Sequence, residues 1–142
     1  DERVTLLERT NARYVEALAE PVSLVVIDVS FISLKLILPA VQKWLAPQAD
    51  IVTLIKPQFE AGKQDVGKGG VIRDTAVHRR VLEEVLTFVD SMGFGLCGLI
   101  VSPIKGATGN VEFLAWLRWG EPCPNPLAQA DALAALDLPD TL

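Results

Sequence analysis

The chain has 142 residues, half of them hydrophobic, and a positive mean hydropathy of +0.33. This length suits one domain with a sizeable core, and the composition excludes a disordered chain. The formal net charge of −5 argues against a domain that holds nucleic acid by charge alone. No apolar run approaches the roughly 20 residues of a membrane helix, and no signal peptide opens the sequence.

The two cysteines, Cys97 and Cys123, match no metal-binding or redox spacing. The sequence therefore predicts a reducing compartment and no disulfide. The chain begins at Asp1, without a methionine, in a segment that already resembles a strand. We expect it to be a fragment of a longer protein.

A short apolar run, Val4 to Leu7, predicts a first strand that ends at Glu8. A carboxylate at the end of a Rossmann-type strand can accept hydrogen bonds from ribose hydroxyls. No glycine-rich loop precedes it, so a solvated charge is an equal alternative. Asn11 then predicts the cap of a helix through Ala19, whose inward residues would be Tyr14, Val15 and Leu18.

The next two predicted strands each end in a charged residue. Leu24 to Ile27 ends at Asp28, and Ile51 to Ile55 ends at Lys56. β-Branched apolar runs are typical of buried strands in a parallel sheet, and ligands bind beyond the carboxyl ends of such strands. A lysine that reaches from a strand end into water is the alternative. Between these strands, Ser33 predicts the cap of a helix that Pro39 should kink.

The segment 61–73 is rich in glycine and basic residues and poor in apolar ones, which predicts a mobile surface loop. It lacks the spacing of a P-loop. It is either a solvated linker or a flap that touches a polyanion, and its cations favour the flap. The candidate RNA-contacting residues here and in a later turn are Lys63, Lys68, Arg73 and Lys105.

Asp74 predicts the cap of a helix that runs to about Met92 and stops at Gly93. The lone His78 has no partner at metal-ligand spacing, so we expect it to be exposed and structural. A strand follows at Leu96 to Val101. The pattern at 111–118 leaves strand and short helix open, and residues 120–142 read as a Pro-rich acidic tail with a weak helix around 127–136.

Four stretches together resemble the hemolysin A (TlyA-type) family of S-adenosylmethionine-dependent rRNA 2′-O-methyltransferases, which are related to the FtsJ heat-shock methyltransferases. They are Val-Val-Ile-Asp-Val-Ser-Phe-Ile-Ser-Leu, Ile-Lys-Pro-Gln-Phe-Glu, Gly-Lys-Gly-Gly-Val-Ile-Arg-Asp and Ser-Pro-Ile-Lys-Gly-Ala-Thr-Gly-Asn-Val-Glu-Phe-Leu. The resemblance implies an α/β fold with a Rossmann-like sheet, mostly parallel with a final antiparallel strand at 111–118, and helices on both faces. Residues 1–119 would form a partial methyltransferase domain.

The family uses a Lys-Asp-Lys-Glu tetrad, and the resemblance matches three members to Asp28, Lys56 and Glu112. The first lysine, the glycine-rich cofactor loop and the N-terminal RNA-binding domain of the family have no counterpart here. By resemblance, Glu8, Asp28, Val29 and Ser30 are the candidate neighbours of S-adenosylmethionine. No metal is required and no metal-binding cluster is present.

In the family sheet, the missing first strand lies between the strands that end at Glu8 and Asp28. A strand-wide gap or a collapse of the two strands is therefore expected, and we expect this chain alone to bind S-adenosylmethionine poorly. The resemblance implies a cytoplasmic protein that acts on ribosomal RNA in a ribosomal subunit. Two other functions stay open: a non-enzymatic RNA-binding or ribosome-associated module, and a membrane-damaging hemolysin, which the absence of a membrane span or cationic amphipathic helix disfavours.

Overall fold

A four-stranded mixed sheet forms the centre of the computed structural model, which describes residues 1–136 and 138. The strand order is β1-β2-β4-β3; β1 and β2 are parallel, and β4 runs antiparallel to both of its neighbours. The final antiparallel strand implied by the resemblance is therefore confirmed. The strands are β1 (Val22–Ile27), β2 (Leu45–Ile55), β3 (Gly95–Val101) and β4 (Phe113–Trp119).

Two helices begin at the capping residues that the sequence predicts, and one of them ends at its predicted glycine. Ser33 and Asp74 accept hydrogen bonds from backbone N–H groups two residues on, at 3.1 Å and 2.8 Å, and Gly93 ends a helix with φ of 87°. Pro39 lies inside the first helix. The helices are α1 (Leu34–Gln42), α2 (Pro57–Glu60), α3 (Thr75–Ser91) and α4 (Gln129–Ala134).

One face of the sheet carries the hydrophobic core. Ile51, Thr53 and Ile55 of β2 alternate with half-buried residues, and each is at most 1% exposed. Side chains from α1, α3 and α4 join them in a single apolar cluster. This packing fixes the register of β2, because a slip by one residue would turn its buried side chains outward.

The opposite face of the sheet is apolar and largely uncovered. Val26 of β1 is 71% exposed, and Ile100 of β3 is 56% exposed. Since α1, α3 and α4 all contribute to the one core, the expectation of helices on both faces is not met in the part of the chain described.

The N-terminal segment differs from its predicted secondary structure. Val4 to Leu7 forms no strand, and Val4 and Leu6 are 67% and 73% exposed. The predicted helix after Asn11 is reduced to one 3₁₀ turn, Ala12–Tyr14, and Tyr14 points outward. The strand prediction is wrong because Val4 to Leu7 has no neighbouring strand to pair with in the described sheet. The segment after Asn11 does lie against α1, where Ala12 packs on the core, but only its first turn is helical.

The segment after β4 folds back across the edge of β3. The Leu127 N–H donates to the Leu96 carbonyl at 3.0 Å, and α4 buries Ala132 and Leu133 in the core. This path brings Cys123 beside Cys97, with their Cα atoms 5.3 Å apart, and the two form a disulfide. The prediction of no disulfide is wrong, because cysteine spacing along the chain does not reveal this return.

Among residues 1–136 and 138, no helix is long and apolar enough to cross a membrane.

His78 is buried, contrary to the prediction of an exposed side chain. It lies on the inner side of α3, is 2% exposed, and meets the Phe113 ring edge-on at 5.9 Å between ring centres. Burial lowers the pKa of His78, while the backbone of Ile72 and the carboxylate of Asp74 oppose that shift.

The lowered pKa of His78 predicts a specific loss of stability in acid. In the unfolded chain His78 binds a proton near pH 6.5, whereas in the folded chain it does so only at lower pH. The stabilisation that comes from neutral, buried His78 is therefore complete above pH 6.5, and it declines as the pH falls below that value. The slope can reach about 1.4 kcal/mol per pH unit. Urea unfolding on both sides of that pH should show a smaller acid loss for His78→Leu than for the wild type. Equal losses would contradict this prediction.

Candidate active site

The sheet topology brings three charged residues to one rim. Asp28 follows β1, Lys56 follows β2, and Glu112 immediately precedes the antiparallel β4. All three line a single cavity of about 410 Å³. The remaining lining residues are Leu54, Ser102, Pro103, Ile104, Lys105, Gly106, Ala107 and Leu114.

Lys56 is held from the β1 side of the cavity. Its Nζ donates to Asp28 Oδ1 at 2.5 Å and to Ser30 Oγ at 3.4 Å. The Lys56 side chain is 11% exposed, whereas that of Asp28 is 67% exposed. A largely buried ammonium therefore faces the cavity beside an open carboxylate.

Glu112 is held from two other elements. Gln58 of α2 donates through Nε2 to Glu112 Oε1 at 2.9 Å. Gly106 packs so closely on the Glu112 carboxylate that an added Cβ would overlap it. The sequence did not single out Gln58, because its partner lies 54 residues away in the chain. Gly106 entered only as one residue of a stretch that resembles the family.

Asn110 anchors the glycine-rich basic segment 61–73 to the rim of the cavity. Its Oδ1 accepts from the Ile72 N–H at 3.0 Å, and its Nδ2 donates to the Gly70 carbonyl at 2.9 Å. Ile72 is buried, so the end of the predicted mobile loop is anchored to the core. Within this loop, Lys63, Lys68 and Arg73 are exposed.

Phe31 projects into solvent beside the same rim. It has φ of 61°, is 90% exposed, and its ring centre lies 4.8 Å from that of Phe59 in α2. Positive φ is costly for a bulky residue and is concentrated at functional sites. The only sequence signal for Phe31 is its place in the turn after the Asp28 strand.

The predicted cofactor neighbours are only partly brought together. Asp28 and Ser30 lie beside Lys56, and Val29 is half-buried against the core. Glu8 lies in the exposed N-terminal segment and is not among the residues that line the cavity.

Gly106→Ala should displace Glu112, since the new methyl group would occupy the space of the carboxylate. We expect a loss of roughly 1–3 kcal/mol in the free energy of unfolding and loss of the Gln58 contact. Gly98→Ala is the control, because a Cβ there would lie 3.8 Å from the nearest Trp116 atom, at ordinary contact distance. Chemical denaturation and the side-chain amide resonances of Gln58 measure both effects. An undisturbed Gln58 resonance in Gly106→Ala would contradict the prediction.

The chain is similar to several known proteins. The FtsJ-like methyltransferase family matches residues 1–119. The 16S/23S rRNA (cytidine-2′-O)-methyltransferase TlyA of Mycobacterium tuberculosis is 48% identical over 120 residues, which cover 83% of this chain and 45% of that protein. Hemolysin A of Brachyspira hyodysenteriae is 43% identical, over 81% of this chain and 49% of its own length. The chain thus spans about half the length of these curated relatives.

A solved structure has the same fold. The structure described as "a putative hemolysin from Lactococcus lactis" is 42% identical, with a TM-score of 0.82 over 94% of this chain and 66% of that one. Since the family match extends over residues 1–119, the chain belongs to the FtsJ-like methyltransferase family.

Proposed function

We propose that this chain is the catalytic part of an enzyme that transfers a methyl group from S-adenosylmethionine to a ribose 2′-hydroxyl of ribosomal RNA. The observation that carries this proposal is the convergence of Asp28, Lys56 and Glu112 on one cavity. The M. tuberculosis relative, which is named as an rRNA (cytidine-2′-O)-methyltransferase, supports the substrate class.

Each rim residue suits one requirement of 2′-O-methylation. S-adenosylmethionine supplies an electrophilic methyl group on a cationic sulfur. Asp28 and Ser30 hold Lys56 Nζ, which would orient the ribose hydroxyl. In its neutral amine form, Lys56 would accept the hydroxyl proton and become the ammonium as the oxygen takes the methyl group. Glu112, which Gln58 holds across the same cavity, would fix the direction of Lys56 and the ribose.

The described residues supply one side of a cofactor site. The exposed Asp28 carboxylate suits a sulfonium charge, and Val29 and Ser30 follow it in the turn. We propose that these three residues hold the cofactor once a further strand pairs with β1, whose outer edge has no partner strand within the described residues. Glu8 would join them only if its segment rearranges.

Cationic and aromatic groups around the rim suit RNA. Lys105 lines the cavity, and Lys63, Lys68 and Arg73 would contact phosphates from the neighbouring loop. The exposed Phe31 ring offers a surface on which an unstacked base could lie. Ribosomal RNA within a ribosomal subunit, in the cytoplasm, is the proposed target.

A non-enzymatic RNA-binding module is the second candidate, and the RNA-facing cations alone would satisfy it. Such a module has no need for a buried lysine paired with a carboxylate at a strand end, which is why we favour the enzyme. A hemolysin function is supported by the name of the B. hyodysenteriae relative.

Lys56→Ala should lower the kcat of methyl transfer by the full-length protein roughly 10²–10⁴-fold, because proton transfer and hydroxyl orientation would both be lost. Transfer of a labelled methyl group from S-adenosylmethionine to ribosomal RNA measures this effect.

Lys35→Ala is the matched control for that experiment. Lys35 lies on α1 and pairs with Glu84 at the surface, so its loss should leave kcat unchanged. An undiminished kcat in Lys56→Ala would remove the role assigned to Lys56. RNA binding without any methyl transfer by the wild type would favour the non-enzymatic module.

A further inference from the structure

Glu60 connects two segments of the site that lie far apart in the sequence. It is the last residue of α2, four positions after Lys56. Its Oε2 accepts from Ser33 Oγ at 2.6 Å, and its Oε1 accepts from the Leu34 N–H at 2.8 Å. Both bonds are partly buried, and together they cap the N-terminus of α1 from outside that helix.

These bonds, together with the bond from Lys56 to Asp28, fix both ends of the turn 28–33. Lys56 holds the first residue of the turn, Asp28, and Glu60 holds the last, Ser33. Lys56 immediately precedes the single turn of α2, and Glu60 is its last residue. The geometry of the turn relative to Lys56 therefore depends on both ends being fixed to the same short helix.

The turn needs this restraint because its backbone is strained. Phe31 has φ of 61° at its centre, a conformation that a bulky residue keeps only where the surroundings impose it. The ring of Phe31 is 90% exposed and contacts Phe59, a neighbour of Glu60 in α2. Little packing other than α2 is available to hold Phe31 in place.

We propose that Glu60 is a positioning residue for methyl transfer: it tethers the turn 28–33 to α2 and so fixes Ser30 and Phe31 relative to Lys56. The inference rests on the proposed function of the site. A shift of about 1 Å in a reacting group can lower the rate on the order of 100-fold. Loss of this tether should therefore lower the rate of methyl transfer.

The test compares three variants of the full-length protein in the labelled-methyl assay. Glu60→Ala removes both bonds and should lower kcat about 10- to 100-fold, with a rise in KM as well, because Ser30 and Phe31 are proposed to contact the cofactor and the RNA. Glu60→Gln can still accept from the Leu34 N–H and donate to Ser33 Oγ, so its kcat should stay within about threefold of the wild type. Glu84→Ala is the matched control, since Glu84 also contacts α1, through Lys35, yet lies away from the turn.

A fourth variant separates positioning from mere stabilisation of α1. Ser33→Asp in the Glu60→Ala background restores a capping carboxylate to α1 without restoring the tether. We expect its Tm to recover and its kcat to stay low. Recovery of kcat together with Tm would overturn the proposal, because the role of Glu60 would then be that of a helix cap.

A structural measurement keeps the proposal testable if the proposed function fails. Should the wild type transfer no methyl group, NMR contacts between the Phe31 and Phe59 rings would report the tether directly. The contacts should weaken in Glu60→Ala and persist in Glu60→Gln and Glu84→Ala. Unchanged contacts in Glu60→Ala would overturn the inference whatever the protein catalyses.

Discussion

The position of β2 between a parallel and an antiparallel neighbour determines where the candidate site lies. Its parallel pairing with β1 brings the carboxyl ends of both strands to one rim, and its antiparallel pairing with β4 brings the start of β4 to the same rim. Because Ile55 pairs with Phe113, the adjoining residues Lys56 and Glu112 lie at the same level of the sheet. The register that buries the core therefore also assembles the site, and a slip by one residue would destroy both.

The single turn of α2 then connects the parts of the rim to one another. Pro57 starts this turn directly after Lys56, as its fixed φ favours at a first helical position. The following side chains reach in three directions: Gln58 to Glu112, Phe59 to Phe31, and Glu60 to Ser33. Since these contacts all depend on one short turn, a substitution at any of its positions should alter contacts at several places around the cavity.

Sequence patterns predicted the helices and strands that depend on residues close to one another in the chain. The caps at Ser33 and Asp74 and the ends of the strands at Ile27 and Ile55 were predicted at their observed positions, because each depends on neighbouring residues. The start of β2 was not, since the strand begins at Leu45 and the apolar run only at Ile51. The family resemblance, and not the pattern, assigned residues 111–118 to a strand. His78 was mispredicted although it precedes the buried Val81 and Leu82 at helical spacing, a signal that should have outweighed its polarity.

The remaining errors concern contacts between distant segments. A strand pattern at Val4 to Leu7 is not sufficient without a neighbour to pair with, and a return of the chain that joins Cys97 to Cys123 leaves no trace in their spacing. Glu60 illustrates the same limit within the site. Its partners lie 26 and 27 residues earlier, so its contacts depend on a sheet register that no local pattern specifies.

The ion pair between Lys56 and Asp28 positions the two side chains beside the cavity, and it adds little to the stability of the fold. Asp28 is 67% exposed, and pairs with one solvated partner contribute only about 0–1 kcal/mol to the folded state. The buried apolar face of the sheet supplies the stability instead. A lysine that is 11% exposed is nevertheless kept at a strand end, beside an open carboxylate and a cavity. Because this ion pair contributes little to folding, substitutions of Lys56 or Asp28 can separate loss of the proposed chemistry from loss of structure, and substitutions of core residues cannot.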